Sequence, residues 1–189
     1  MILLIDNYDS FSYNLYQLIG SIEPNITIAR NDEITLEQIT QLKPTAIIIS
    51  PGPGRPKDAG IIEKIIAQFH QTIPILGICL GHQAICEVFG AQITYAPQIM
   101  HGKSSLIKTQ SDPIFQGMNQ HLTVARYHSL IAKNLPHQLK VIAQTKEGEI
   151  MAVKHQQSYT YGLQFHPESI LTQDGTKIIQ NFLGGIKND

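Results

Sequence analysis

The hydrophobic positions of this chain fall into short unbroken runs that alternate with periodic ones. Residues 1-MILLI-5 and 45-TAIIIS-50 are apolar at nearly every position, as strands are when both faces of a parallel sheet are covered. Between and after them the spacing changes to that of a helix. Leu15, Leu18 and Ile19, then Leu36, Ile39 and Leu42, recur every three or four residues. The pattern predicts strands at Met1–Ile5, Ile26–Arg30, Thr45–Ser50 and Ile75–Ile78. A helix follows each: one through Leu15–Ile19, then Thr35–Leu42, Ile61–Phe69 and Leu80–Phe89. This order implies an α/β fold, a doubly wound and mostly parallel sheet with right-handed crossovers.

After Gly90 the rhythm changes. Ile93–Tyr95, Ser105–Lys108, Leu122–Arg126, Val141–Gln144, Ile150–Lys154 and Tyr161–Phe165 all read as strands, with no long helix between them. The segment 146-KEGE-149 reads as a hairpin turn, and Gly175–Leu183 as a closing helix. The sheet is therefore expected to carry a mixed or antiparallel extension. No repeat, linker or low-complexity tract divides the chain, so residues 1–189 read as a single domain.

Composition removes several function classes. The formal net charge is -1 and the pI about 6.7, without a basic patch of the kind that binds nucleic acid. The longest apolar runs are far too short to span a bilayer. The N-terminus has no basic leader region and turns polar by Asp6, unlike a signal peptide. Two cysteines in such a chain imply free thiols in a reducing, cytoplasmic compartment.

Those cysteines differ in setting. Cys79 is the centre of 77-GICLG-81, where an apolar strand meets a helix. This G-x-C-x-G is the thiol counterpart of the nucleophile elbow, whose small flanking residues permit a sharp strand-to-helix turn. The helix N-terminus behind Cys79 would favour a thiolate, and the Leu80 N–H would face an oxyanion formed there. A buried small residue of the core fits Cys79 equally well. Cys86 lies inside the helix among Ala84, Ile85 and Val88 and reads as core. The spacing of Cys79, His82 and Cys86 straddles the turn and does not make a metal site.

A thiol nucleophile needs a base, and the base an orienting partner. His70, His137 and His155 sit in polar segments and read as solvated. His166 ends a strand within 165-FHPES-169, and Glu168, two residues on in extended chain, projects to the same side. A carboxylate there would orient the imidazole and favour its charged form. A surface His–Glu pair at a turn is the competing reading. The loop 50-SPGPG-54 follows a strand of the parallel sheet, and its glycines let backbone N–H groups approach a ligand. Pro53 has no N–H, so an oxyanion donor in this loop must be Gly52 or Gly54. It lacks the Lys-Ser/Thr of a phosphate loop.

Together, 77-GICLGHQ-83 and 165-FHPES-169 resemble the class I (triad) glutamine amidotransferases, and the resemblance covers essentially the whole chain. It implies a flavodoxin-like sheet and the hydrolysis of L-glutamine through a cysteinyl thioester. Cys79 would be the nucleophile, His166 the general base and Glu168 its orienting partner. Gly52 and Leu80 would supply the oxyanion hole. Gly52, Pro53, Gly54, Gln83, Ser129 and Leu130 would bind glutamine, with a core role also open for Leu130. The segments 4-LIDNYDSFSYNL-15, 100-MHGK-103 and 126-RYHSL-130 are similar to the glutaminase subunits (component II) of anthranilate synthase and aminodeoxychorismate synthase. That similarity implies a separate chorismate-binding partner subunit, component I, which carries Mg²⁺, with no cofactor and no metal in this chain. Gly54 leans toward the tryptophan branch, whereas 145-TKEGEIMAVKH-155 is equally at home in the folate branch. A generic cysteine hydrolase would not need FHPES or RYHSL, and a non-catalytic binding subunit would be expected to lose part of the triad.

Overall fold

Both unbroken apolar runs become inner strands of one large sheet. The computed structural model describes residues 1–186, so the last three positions of the expected domain lie outside the described residues. In chain order it contains β1 (Ile2–Asp6), α1 (Ser12–Ile22), β2 (Ile26–Arg30), α2 (Leu36–Leu42), β3 (Ala46–Ile49), α3 (Ile62–Phe69), β4 (Ile75–Ile78) and α4 (Leu80–Val88). There follow β5 (Gln92–Tyr95), β6 (Lys103–Thr109), β7 (His121–Arg126), β8 (Leu130–Lys133), β9 (Leu139–Thr145), β10 (Ile150–His155), β11 (Thr160–Leu163) and α5 (Gly175–Ile186).

Nine strands pair in the order β2-β1-β3-β4-β11-β10-β9-β6-β7. The first five are parallel to one another. From β11 outward the pairing is antiparallel, which is the predicted extension. β5 and β8 form a separate antiparallel pair.

Side chains alternate across the parallel strands and so build two apolar layers. Leu4, Ile48, Leu76 and Ile78 pack with residues of α1 and α5 on one face. Leu3, Ile5, Ile47 and Ile49 pack with residues of α2, α3 and α4 on the other. Every residue of β3 is fully buried, which accounts for its lack of polar alternation. Helix α2 starts at a capping box in which Thr35 and Gln38 bond each other's backbone N–H. Thr35 is thus the cap of the helix rather than its first residue.

Three expectations need correction. The strand read as Tyr161–Phe165 ends at Leu163, and the chain bends at Gln164 and Phe165. The segment 126-RYHSL-130, read as a binding segment with a core role open for Leu130, runs into strand β8, which the patterning does not predict. His155 is buried, not solvated: its ring lies 4.6 Å from that of Phe89 and 5.2 Å from that of His70. Its Nδ1 accepts a hydrogen bond from the Gln157 N–H at 3.2 Å and lies 3.0 Å from the Ser158 hydroxyl. His70 is half-buried and His137 exposed.

Candidate active site

Cys79 occupies the single residue between β4 and α4 with φ 52° and ψ -99°. That is a left-handed, strained conformation for a side chain with a Cβ. The flanking glycines explain how the turn closes. A Cβ on Gly77 would lie 2.4 Å from the Gly81 carbonyl, and one on Gly81 would lie 2.6 Å from the Ile49 carbonyl. The helix therefore starts pressed against the sheet, with its unpaired N-terminal N–H groups beginning at Leu80. Cys79 is 6% exposed. Cys86 is fully buried seven residues on, and burial pushes its thiol well above the usual range. Its sulfur lies 3.8 Å from Nε2 of His82.

The adjacent parallel strand β11 delivers His166. Leu163 pairs with Ile78, and the Cys79 N–H donates to the Leu163 carbonyl at 2.7 Å. Beyond that point the His166 backbone is fixed twice. Its N–H donates to the Ala125 carbonyl at 3.0 Å, and its carbonyl accepts from the Thr172 hydroxyl at 2.7 Å. Nδ1 of His166 lies 2.7 Å from Oε1 of Glu168, and both side chains are buried. The extended geometry expected between them is absent. They lie on a turn closed by the Ser169 N–H bonding the His166 carbonyl at 3.3 Å. Burial works against the charged imidazole, but the neighbouring Cys79 and Glu168 side chains outweigh it and push its pKa up to about 10. The ring is walled by Tyr127, 5.0 Å away, and Phe11, 5.8 Å away, both edge-on. Both residues lie in segments singled out by resemblance, 4–15 and 126–130, but periodicity gives neither a role, because each belongs to a loop brought over the site only by the fold.

The loop after β3 reaches the same place. Asn7 ties the ends of β1 and β3 together: its N–H donates to the Ser50 hydroxyl at 2.9 Å and its Nδ2 to the Ser50 carbonyl at 2.7 Å. A Cβ on Gly52 would lie 2.5 Å from the Asn7 Cβ and 2.8 Å from the Leu80 side chain. Gly52 is therefore brought against Leu80, the residue that follows Cys79. Pro53 and Gly54 are exposed on the outer part of the loop, with Gly54 at φ 76°.

Gln83 and Leu130 are also drawn in, with polar groups already engaged, while Ser129 beside them is exposed. Nε2 of Gln83 donates to the Leu130 carbonyl at 3.0 Å and to Oε1 of Gln164 at 3.1 Å. Nε2 of Gln164 in turn donates to the Cys79 sulfur at 3.7 Å. The Ser129 carbonyl accepts from the Ala96 N–H at 2.8 Å. Leu130 is 8% exposed and packs in the core, so it carries both apolar and polar contacts. Nδ1 of His128 sits 3.0 Å from the Leu130 carbonyl, while its Nε2 accepts from Nε of Arg126 at 3.1 Å. His128 is thus neutral with its proton on Nδ1, and burial together with the Arg126 charge pushes its pKa down to about 4. Arg126 is buried and paired with Glu149. Sequence reading passed over Gln164 and assigned no role to Arg126 or Glu149 within their quoted segments, because their partners are reached only after the sheet has assembled.

Among the described residues no helix is long and apolar enough to cross a membrane. The geometry gathers a cysteine on a strained turn, a raised histidine, a buried carboxylate and backbone N–H groups at the carboxyl ends of parallel strands. Such a set can run acyl transfer through a thioester.

Comparison with known proteins agrees with this chemistry. The family model described as glutamine amidotransferase class-I matches residues 3–185. The aminodeoxychorismate/anthranilate synthase component 2 of Bacillus subtilis is 49% identical over 185 residues, covering 97% of this chain and 95% of its own. The bifunctional protein TrpGD of Thermotoga maritima is 49% identical over 186 residues, 96% of this chain but 32% of that longer protein. The crystal structure of a Thermoplasma acidophilum protein, assigned as part of a GMP synthase, superposes with a TM-score of 0.88 at 26% identity, over 99% of this chain and 94% of that one. With a family model running almost from end to end and relatives at half identity, this chain belongs to the class-I glutamine amidotransferases.

Proposed function

We propose that this chain is the glutaminase subunit of a chorismate-using synthase, with Cys79, His166 and Glu168 as its catalytic triad. The observation that carries the reading is the 2.7 Å bond between His166 and Glu168 beside a cysteine held at positive φ. Glu168 accepts from Nδ1–H and so leaves Nε2 of His166 to serve the thiol. His166, whose raised pKa favours the imidazolium, takes the thiol proton before Cys79 Sγ attacks the side-chain amide carbon of glutamine. The carbonyl oxygen becomes an oxyanion, received by the N–H groups of Leu80 and Gly52. As the tetrahedral intermediate collapses, the C–N bond breaks and His166 hands its proton to the departing ammonia. Water, deprotonated by His166, then attacks the γ-glutamyl thioester, and the S–C bond breaks to release glutamate. Gly52, Pro53, Gly54, Gln83, Ser129 and Leu130 frame the glutamine.

Ammonia is protonated near neutral pH and is then no nucleophile, so it must travel shielded to a second site. We assign that site to a chorismate-binding component I in a cytoplasmic hetero-oligomer, in keeping with the component 2 name of the Bacillus subtilis relative. The relative's name covers both anthranilate and aminodeoxychorismate synthesis. Gly54 favours the tryptophan branch; the folate branch, or service to both, are the alternatives. We assign magnesium to that partner and no cofactor to this chain. Cys79 at 6% exposure fits a site that the partner completes, leaving the isolated chain nearly inactive.

The test is labelling with a glutamine-analogue electrophile, together with Cys79→Ala in the assembled synthase. The expected result is modification of Cys79, and loss of glutamine-dependent but not ammonia-dependent synthesis. Labelling of Cys86 would overturn the assignment. Assays with each chorismate-using partner decide the branch.

A further inference from the structure

Gln164 lies between the end of β11 and His166, and it is completely buried. A buried amide is costly unless both its ends are bonded, and an aliphatic side chain would fill the same volume. Both ends of this one are committed. Its Oε1 accepts from Gln83 at 3.1 Å, and its Nε2 donates to the Cys79 sulfur at 3.7 Å. The orientation of the amide is not free. Gln83 spends its other N–H on the Leu130 carbonyl at 3.0 Å, so it presents only a donor to Gln164. Gln164 must turn its oxygen to Gln83 and its NH₂ to the sulfur.

The Leu130 carbonyl is itself held in place, by the Nδ1–H of His128, which Arg126 fixes in that tautomer. Arg126 is anchored by Glu149 at the turn between β9 and β10. A connected chain of hydrogen bonds therefore runs from that turn to the sulfur, with two donors meeting at the Leu130 carbonyl, and Gln164 is its last member.

We infer that Gln164 is a positioning residue for Cys79, holding the sulfur through an N–H···S bond whose direction Gln83 sets. The inference rests on Cys79 being the nucleophile. A donor aimed at sulfur fixes its rotamer and stabilises the anion more than the thiol. No bond is made or broken by Gln164; it acts on the reaction only through Cys79.

The experiment follows alkylation of Cys79 by iodoacetamide against pH, in the full chain carrying Cys86→Ala so that one thiol reports. Gln164→Glu keeps the shape and the acceptor for Gln83 but removes the donor facing the sulfur. Gln164→Met keeps the volume and removes both bonds. Gln83→Glu leaves residue 164 untouched and reverses the amide, turning oxygen toward the sulfur. In each folded variant the midpoint of alkylation is expected to rise by about one pH unit. With the partner subunit present, kcat for glutamine in Gln164→Met falls about tenfold or more, while KM stays within about twofold. An unchanged midpoint in variants that melt near the parent temperature would overturn the inference, and so would a loss confined to KM. Because alkylation involves no glutamine, a parent that turns over none even with the partner subunit bound, yet shows the shift, would overturn the proposed function and leave the N–H···S bond to Cys79 supported.

Discussion

Glu168 reaches His166 across a turn, not along a strand. Its Oε1 lies 2.7 Å from Nδ1 of a histidine two residues earlier, and both side chains are sealed from solvent. The contact fixes the imidazole tautomer without help from any distant element. Replacing Glu168 by Gln keeps the shape and removes the charge. Turnover of glutamine by the assembled synthase should fall by about two to four orders of magnitude, with little change in melting temperature. A loss of less than about fivefold would show that His166 orients itself.

The strain at Cys79 predicts opposite responses of stability and activity. Its φ of 52° is unfavourable for any residue with a Cβ and free for glycine. Cys79→Gly should therefore be about 1 kcal/mol more stable than Cys79→Ala, although neither hydrolyses glutamine. Urea midpoints of the two variants measure the difference, and equal midpoints would refute stored strain at the elbow.

The glycines around the elbow should tolerate nothing larger. A Cβ at Gly81 meets the Ile49 carbonyl at 2.6 Å, and one at Gly77 meets Gly81. Gly81→Ala should cost about 1–3 kcal/mol and also displace Cys79, so that activity falls further than stability alone explains. Gly184→Ala is the control, since nothing stands within 4 Å of the added methyl group.

Acid should weaken the fold through buried neutral histidines. Burial and the neighbouring His128 push His82 down to about 3, and His128 itself is pushed down to about 4. In the unfolded chain both protonate near 6.5, so below that pH the unfolded state binds more protons and stability drops. Between pH 6.5 and 5 each group contributes a loss of about 2 kcal/mol. His166 behaves the other way, since its raised pKa supports the fold below about 6.5 and the support is lost as pH rises toward 10. Urea midpoints at pH 7 and pH 5 test this, and His82→Gln should remove about half of the acid loss. A pH-independent midpoint over this range would contradict the buried neutral state.

What could be read from the chain was whatever local spacing controls. β1 and β3 announced themselves because strands covered on both faces carry no polar alternation. The elbow announced itself because its glycines are needed within five residues of one another. Gln164 stayed hidden because its two partners, Gln83 and Cys79, lie some eighty residues earlier and meet it only across the β4–β11 pairing. His155 was misread for a related reason: a polar neighbourhood in sequence became an aromatic stack once Phe89 and His70 closed on it. β8 escaped because four residues pairing only with β5 give a short signal.

The hydrogen bond from the Cys79 N–H to the Leu163 carbonyl joins the backbones that carry the thiol and the imidazole. The rung lies three residues before His166, whose own backbone is pinned to Ala125 and Thr172, so the separation of Cys79 and His166 is a property of the framework. Loops at the rim can lengthen, shorten or change composition without detuning the pair. A scaffold with that division of labour can vary its edge while the centre beneath it stays the same.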